Sequence, residues 1–260
     1  MSRFVNLELG GESEDHSQDQ KALVKDEPYY YGEARSAFEN GNFETALRLY
    51  SKVLEFNPAN AGAWTGQVRM LIELGEYREA RLWADKALER LPHDPELLAA
   101  KAVALGRSGD LVGALAFSDA SIEERGDTPY IWLARADVLL ARTEARAEYC
   151  FEKARVLAPR DWFTAWLGAR IHFYYEQFSL ALKLLQQALE WNTSHFLLWL
   201  ELGRCQQALD LIGPARTSFA QARELNPNCH EARQALADLS HAGVGRALRG
   251  WFRKLLRKED

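Results

Sequence analysis

Apolar positions along the chain follow one long period. A small apolar residue recurs at intervals of 34, 34, 33, 34 and 34 residues, as Ala46, Ala80, Ala114, Ala147, Ala181 and Ala215. A second residue follows each of them four positions later, as Tyr50, Ala84, Ser118, Phe151, Leu185 and Phe219. A spacing of four places both side chains on one face of a helix. The pattern therefore predicts six equivalent helical units, with the alanine allowing close approach of a paired helix.

Residues that end helices divide each unit in two. A left-handed helix end is expected between the two helices, at Gly41, Gly75, Gly109, Glu176 and Asp210. The units themselves end at Pro58, Pro92, Pro159 and Pro227, with Gly126 and Thr193 in the third and fifth units. The fourth unit is one residue short between Arg142 and Ala145, which predicts a tightened turn between its helices.

The last complete unit carries a recognisable motif. It reads Trp199, Leu202 and Gly203, then Ala215, Phe219 and Pro227. This spacing resembles the tetratricopeptide repeat (TPR) family. The resemblance implies an all-α fold, a right-handed superhelical solenoid of antiparallel helix pairs. We expect repeats at about 27–60, 61–94, 95–128, 129–161, 162–195 and 196–229, and a capping helix at 230–240 that exposes Arg233, Gln234 and Asp238.

Composition agrees with this reading. Only eight prolines and 17 glycines occur, which is typical of a helix-rich chain. Cys150, Cys205 and Cys229 lie far apart, so neither a disulfide framework nor a zinc site is indicated. Residues 1–26 are acidic, are predicted to be disordered, and lack the basic start and apolar run of a secretory signal. We therefore expect a cytoplasmic protein, with a peripheral position on the inner face of a membrane as the alternative.

The resemblance also implies that the first helix of each repeat lines a concave surface that binds partner segments. One register of these helices is rich in arginine, and aromatic residues stand beside it. The predicted groove consists of Tyr31, Arg35, Arg69, Phe163, Trp166, Arg170, Phe173, Tyr174 and Arg204. Guanidinium groups beside aromatic rings suit a protein or peptide with acidic and apolar residues.

Intrahelical ion pairs are the competing interpretation of these arginines. Glu39 follows Arg35 by four residues and Glu73 follows Arg69 by four, so each pair can form on the helix surface. Arg170 has Tyr174 at that position. Arg204 has Ala208 there, although Glu201 three residues earlier can partly neutralise it. The groove is therefore expected to be densest in the last two repeats.

One well-known use of the family fold is not supported by the residues. The clamp that holds chaperone C-termini requires Lys and Asn, then Asn, then Lys and Arg across three repeats. The matching positions here read Tyr31 and Arg35, then Gly66, then Glu96 and Ala100. Chaperone-tail binding of that kind is disfavoured.

The end of the chain forms a second candidate site. Residues 241–260 are predicted to form a basic amphipathic helix, with Val244, Leu248, Trp251, Phe252, Leu255 and Leu256 on one half and Arg246, Arg249, Arg253, Lys254, Arg257 and Lys258 on the other. Such a helix can contact an anionic membrane, a partner, its own array or a second copy of the chain. Nucleic acid is the least favoured partner because the rest of the chain is acidic.

No catalytic constellation stands out. The six histidines are scattered, and no phosphate loop, His-Glu-x-x-His or Gly-x-Ser-x-Gly motif occurs. We predict no catalytic residue, no metal site and no cofactor. The preferred function is a protein-interaction scaffold or adaptor; the alternatives are a membrane-associated assembly factor or regulatory subunit and, last, an enzyme with a cryptic site.

Overall fold

The computed structural model describes residues 25–240, and all structural statements refer to that part of the chain. It contains helices and turns without any strand. The helices are α1 (Glu27–Glu39), α2 (Phe43–Phe56), α3 (Ala61–Glu73), α4 (Tyr77–Arg90), α5 (Pro95–Arg107), α6 (Leu111–Glu123), α7 (Pro129–Ala141), α8 (Ala147–Leu157), α9 (Trp162–Tyr174), α10 (Phe178–Trp191), α11 (Phe196–Ala208), α12 (Ile212–Leu225) and α13 (230–240). The predicted all-α array of helix pairs is confirmed.

Five of the six first helices begin at a side-chain cap; the exception is α11, which His195 precedes without a capping hydrogen bond. In five repeats the capping side chain accepts a hydrogen bond from a backbone N–H of the first helical turn, at Asp26, Asn60, Asp94, Thr128 and Asp161. Such caps satisfy backbone donors that a helix start leaves unpaired. They recur with the same period as the alanines, so both patterns set the helix boundaries.

In five of the six repeats the first helix is followed by a left-handed residue at the predicted position. Gly41, Gly75 and Gly109 have φ of 73°, 80° and 94°. Glu176 and Asp210 adopt the same left-handed conformation at φ of 57° and 58°. The alanines of the 34-residue period are at most 2% exposed, so they form the contact between paired helices.

The fourth repeat differs from the prediction of a tightened turn. Five residues separate Ala141 from Ala147, where the other repeats have six between equivalent positions. The connection from Arg142 to Arg146 is nevertheless long, because α8 begins only at Ala147 and lacks its first turn. The missing residue is therefore absorbed by unwinding the start of α8.

The array closes on itself. In a simple solenoid each repeat contacts only its neighbours. Here Phe38 of the first repeat packs against Phe163 and Trp166 of the fifth, with ring centroids 5.1 and 6.0 Å apart. The first, fifth and sixth repeats share one buried apolar cluster. The concave side of the superhelix is consequently narrow.

Helix α13 follows the last repeat. Along α13, Ala232 and Leu239 are buried, whereas Arg233, Gln234 and Asp238 are exposed. One face of α13 thus covers the apolar surface of the last repeat.

Candidate functional site

Charged side chains from the first helices of five successive repeats fill the concave side. We call this set the concave charge cluster: Glu73 of α3, Arg107 of α5, Asp137 of α7, Arg170 of α9, and Glu201 and Arg204 of α11. Each residue lies in the middle or last turn of its helix, and the narrow superhelix brings them together.

Arg107 and Asp137 form the buried base of the cluster. Their side chains are 7% and 2% exposed. Arg107 Nη2 and Nε donate to Asp137 Oδ2 over 2.6 and 3.1 Å, and the Tyr175 hydroxyl donates to Asp137 Oδ1 over 2.8 Å. Burial and the neighbouring Asp137 carboxylate raise the pKa of Tyr175, so the hydroxyl stays a donor. This pair is satisfied internally.

Arg170 is also paired, contrary to the prediction that it stands open to a ligand. Its Nε and Nη2 donate to Glu73, 97 residues earlier, with Nε–Oε2 at 2.9 Å, and its Nη1 donates to Glu201 over 2.9 Å. Burial alone would raise the pKa of Glu73, but Arg170 and Arg107 outweigh it and hold the pKa below its ordinary value. Arg170 therefore ties the second, fifth and sixth repeats together.

Trp166 and Phe163 also take a different place from the one predicted. Trp166 is 0% exposed and lies among Phe38, Phe43 and Phe163. Closure of the array buries Trp166 fully and Phe163 partly, so both rings stabilise the contact between the first and fifth repeats.

The predicted residues of the first two repeats lie outside the open part of the concave side. Tyr31 packs edge-on against Tyr50, with centroids 5.9 Å apart. Arg35 is exposed and pairs with Glu39 over 2.9 Å, which confirms the expected intrahelical pair. The Arg69–Glu73 pair is wrong: the Arg69 guanidinium lies 3.9 Å from the ring centre of Tyr130, and Glu73 pairs with Arg170.

Arg204 is the most accessible cation of the concave charge cluster. Its side chain is 40% exposed, against 20% for Arg170 and 7% for Arg107. Its Nη1 lies 3.4 Å from Glu201 Oε1, which is a long contact for an ion pair. Glu201 meanwhile makes the shorter bond to Arg170. The charge of Arg204 is thus only partly compensated.

Two clefts border Arg204. The first, of about 340 Å³, lies between the α1–α2 turn, α11 and the start of α13; we call it the α1–α11 cleft. Its polar lining includes the turn residues Asn40, Asn42, Asn226 and Asn228. The second, also about 340 Å³, lies between the α3–α4 turn and the end of α9, and we call it the α3–α9 cleft.

Aromatic residues predicted for the groove do line the α3–α9 cleft. Tyr174 is 42% exposed and Phe173 stands beside it. Burial, and then a hydrogen bond with Tyr77, raise the pKa of Tyr174 to about 12, so its hydroxyl is protonated at neutral pH. This cleft combines Arg204 with an apolar and hydrogen-bonding wall.

Sequence reasoning missed much of the site. Asp137 occupies the position equivalent to Arg69, Arg170 and Arg204 in their repeats, and this acid among arginines was the available signal. Glu73 was assigned to the wrong arginine, and Arg107 and Tyr175 were not assigned at all. Nothing local indicates the four turn asparagines as neighbours, since the closed array brings the first and sixth repeats together.

The remaining predictions concern the C-terminal segment, metal sites, membrane spans and the cysteines. Arg246, Leu248, Arg249, Trp251, Phe252, Arg253, Lys254 and Leu255 lie outside the described residues. Within residues 25–240, no group of three or more His, Cys, Asp or Glu side chains is placed to hold a metal ion. In the same range, no helix has the length and apolar character needed to cross a membrane. The three cysteines are buried free thiols.

Two curated proteins match short parts of the chain. The Protein SGT1 homolog of Oryza sativa subsp. japonica is 39% identical over 59 residues, which are 23% of this chain and 16% of that protein. An uncharacterized protein of Methanocaldococcus jannaschii is 36% identical over 58 residues, which are 22% of this chain and 67% of that protein. The chain thus spans only a small part of the first relative.

Solved structures share the fold over most of the chain. A tetratricopeptide repeat protein from Parabacteroides merdae has a TM-score of 0.53 and 18% identity, over 85% of this chain and 87% of that one. The APC/C hetero-tetramer Cut9–Hcn1 has a TM-score of 0.50 and 15% identity, over 82% of this chain and 43% of that one. The model of the tetratricopeptide repeat matches residues 37–104 and 173–239, about half of the chain. With thirteen helices in the described part and motif residues at the expected spacing, the chain belongs to the tetratricopeptide repeat family.

Proposed function

We propose that this protein is an interaction scaffold that holds an acidic and partly apolar partner segment at Arg204, between the α1–α11 and α3–α9 clefts. The observation that carries the proposal is that Arg204 borders both clefts and is the most exposed and least compensated cation of the concave charge cluster. Tetratricopeptide repeats serve in general as protein-interaction modules, which agrees with this function.

The chemistry of the two clefts favours an extended segment. Side-chain amides of Asn42 and Asn228 both donate and accept hydrogen bonds, as a peptide backbone requires. Tyr174 and Phe173 offer a surface for an apolar side chain. A carboxylate of the segment would then pair with Arg204, because guanidinium binds carboxylate strongly and with defined geometry.

The closed array limits the site to these clefts. Arg107 and Arg170 already have buried carboxylate partners, and displacing them would leave charges unpaired in the interior. A partner segment can therefore approach Arg204 without opening the array. The partner's charge should matter more at this position than at any other arginine of the concave side.

Peptide binding tests the proposal directly. Two fluorescein-labelled pools of short peptides are titrated with the full chain by fluorescence anisotropy, one alternating Glu or Asp with Leu or Phe, the other with Lys in place of each acid. We expect the acidic pool to bind and the basic pool not to bind. Arg204→Glu should weaken binding of the acidic pool at least about tenfold, because reversal of a contacting charge costs roughly 1.4 kcal/mol or more of binding free energy.

Arg216→Glu is the matched control. Arg216 lies exposed on α12, carries the same charge and lines neither cleft. It should leave binding unchanged, and far-UV circular dichroism verifies that both variants keep their helices. Equal binding of the acidic pool by Arg204→Glu and the unmodified chain would contradict the proposal, as would a preference for the basic pool.

A further inference from the structure

A third cleft lies away from the concave charge cluster and is not used by the proposed function. It is a groove of about 140 Å³ between α8 and α10, floored by α9. Phe151 of α8 and Leu184 of α10 form its walls, and Ala165 and Gly168 of α9 form the floor. Leu180, on the rim, is 41% exposed. We call it the α8–α10 groove.

The irregular fourth repeat explains why this groove exists. Second helices of the other repeats pack closely on the next first helix, but α8 contacts α9 sparsely. α8 also has 11 residues where the other second helices have 13 or 14. The seam between the fourth and fifth repeats is therefore left incompletely filled, with apolar residues facing the gap.

The shape and spacing of the groove suit an amphipathic helix. Its α10 wall uses Leu180, Leu184 and Trp191, and its α8 wall uses Glu148, Phe151 and Arg155, all at helical spacing. From Leu180 to Trp191 the wall is about 16 Å long at 1.5 Å per residue. A helix that lies along the groove can place side chains of one face in this gap.

The rim of the groove carries one more carboxylate than it carries cations. Glu148, Glu152 and Asp161 line the groove against Arg155 and Lys183. Arg155 pairs with Glu152, whereas Glu148 makes no ion pair within the described residues. The α8 wall therefore presents a carboxylate beside the apolar gap.

We propose that the α8–α10 groove binds the basic amphipathic segment 244–258 of a second copy of this chain. The apolar positions of that segment run from Val244 to Leu256, about 18 Å as a helix, which matches the groove. Its six basic residues can pair with Glu148, the rim carboxylate of α8 that makes no ion pair within the described residues. The chain as a whole is acidic, with a net charge of −5, although its last twenty residues are basic.

The reach of the segment favours a second copy over the same chain. The structure describes α13 as far as residue 240, and the four Cα steps from there to Val244 span at most about 14 Å in any conformation. α9 is two first helices before α13, and neighbouring helices are about 8–10 Å apart, so the floor of the groove lies about 16–20 Å away. A second copy is free of this limit.

Isotope-resolved cross-linking of the full chain tests the proposal. Equal amounts of ¹⁴N and ¹⁵N protein are mixed, and a zero-length carbodiimide joins carboxylates to amines in contact. We expect links from Glu148 or Glu152 to Lys254 or Lys258 that contain one light and one heavy peptide. Cross-links that join only two light peptides or only two heavy peptides would overturn the second copy as the occupant.

Sedimentation equilibrium gives an independent readout. We expect a dimer whose dissociation constant rises at least about tenfold in Leu180→Asp, and likewise in Trp251→Ala combined with Phe252→Ala. Leu82→Asp is the matched control, since Leu82 is 63% exposed on α4 and does not line the groove. A chain that stays monomeric, or that instead sediments with phosphatidylserine vesicles through residues 241–260, would overturn the proposal. The peptide titration at Arg204 is unaffected by either result.

Discussion

Replacing Arg170 by Met removes the charge that connects three repeats while keeping an unbranched side chain. Glu73 and Glu201 are only 15% and 6% exposed, so both carboxylates would stay in the interior without their main partner. Removing one member of a buried ion pair typically costs about 3–5 kcal/mol. We expect Arg170→Met to lower the free energy of unfolding by an amount in that range.

A double-mutant cycle isolates the long-range part of this loss. Glu73→Gln is combined with Arg170→Met, and unfolding in urea is followed by circular dichroism and tryptophan fluorescence. Changes at sites that do not touch add within about 0.5 kcal/mol. Because Arg170 bonds Glu73 directly, the double variant should be less destabilised than the sum by at least about 1.5 kcal/mol.

The Arg35–Glu39 pair provides the control cycle. Its members are one helical turn apart, and Arg35 is 71% exposed, so its coupling should not exceed about 0.5 kcal/mol. Additive effects of Arg170→Met and Glu73→Gln would refute the reasoning, because they would show that the second and fifth repeats do not meet. Because the closed array also couples repeats that are distant in sequence, circular dichroism and tryptophan fluorescence should report one coincident transition.

Two further changes test the packing of the array. Gly203→Ala should lower the free energy of unfolding by about 1–3 kcal/mol in the same urea assay, because a Cβ there would lie 2.6 Å from the fully buried ring of Phe219. Gly213→Ala is the control and should be neutral or stabilising, because no atom lies within 4 Å of its added Cβ. Equal effects of the two changes would be inconsistent with the contact at Phe219. Burial lowers the pKa of His172 in the folded chain below its ordinary value of 6.5. As the pH falls, His172 therefore takes up a proton in the unfolded chain before it does so in the folded chain, and the free energy of unfolding should decrease below about pH 6.5. Urea midpoints between about pH 7.5 and 5 should decline less in His172→Gln, and an unchanged slope would exclude His172 as a cause.

Features set by local sequence could be predicted. The alanine period and the left-handed positions depend on contacts within one repeat, and the structure confirms both. The caps at Asp26, Asn60 and Asp94 carry the same period and could have been recognised in the same way. The pairs of Arg35 and Arg204 with nearby acids are likewise local and are present.

Closure of the array could not be read from the sequence. It depends on the small rotation between repeats, which accumulates along the superhelix and decides whether Glu73 meets Arg170. The same accumulation buries Trp166 and leaves Arg204 as the most accessible cation of the concave charge cluster. The one-residue shortening at the fourth repeat was visible, but its effect on α8 depends on where the missing residue is absorbed.

Closure of the array is the structural basis of the proposed binding at Arg204. Nuclear Overhauser spectroscopy on protein with selectively labelled phenylalanine and tryptophan measures this closure directly. The ring centroids of Phe38 and Phe163 are 5.1 Å apart and those of Phe38 and Trp166 are 6.0 Å apart, so cross-peaks between the first and fifth repeats are expected. Cross-peaks within each repeat but none between Phe38 and either ring of the fifth repeat would contradict it.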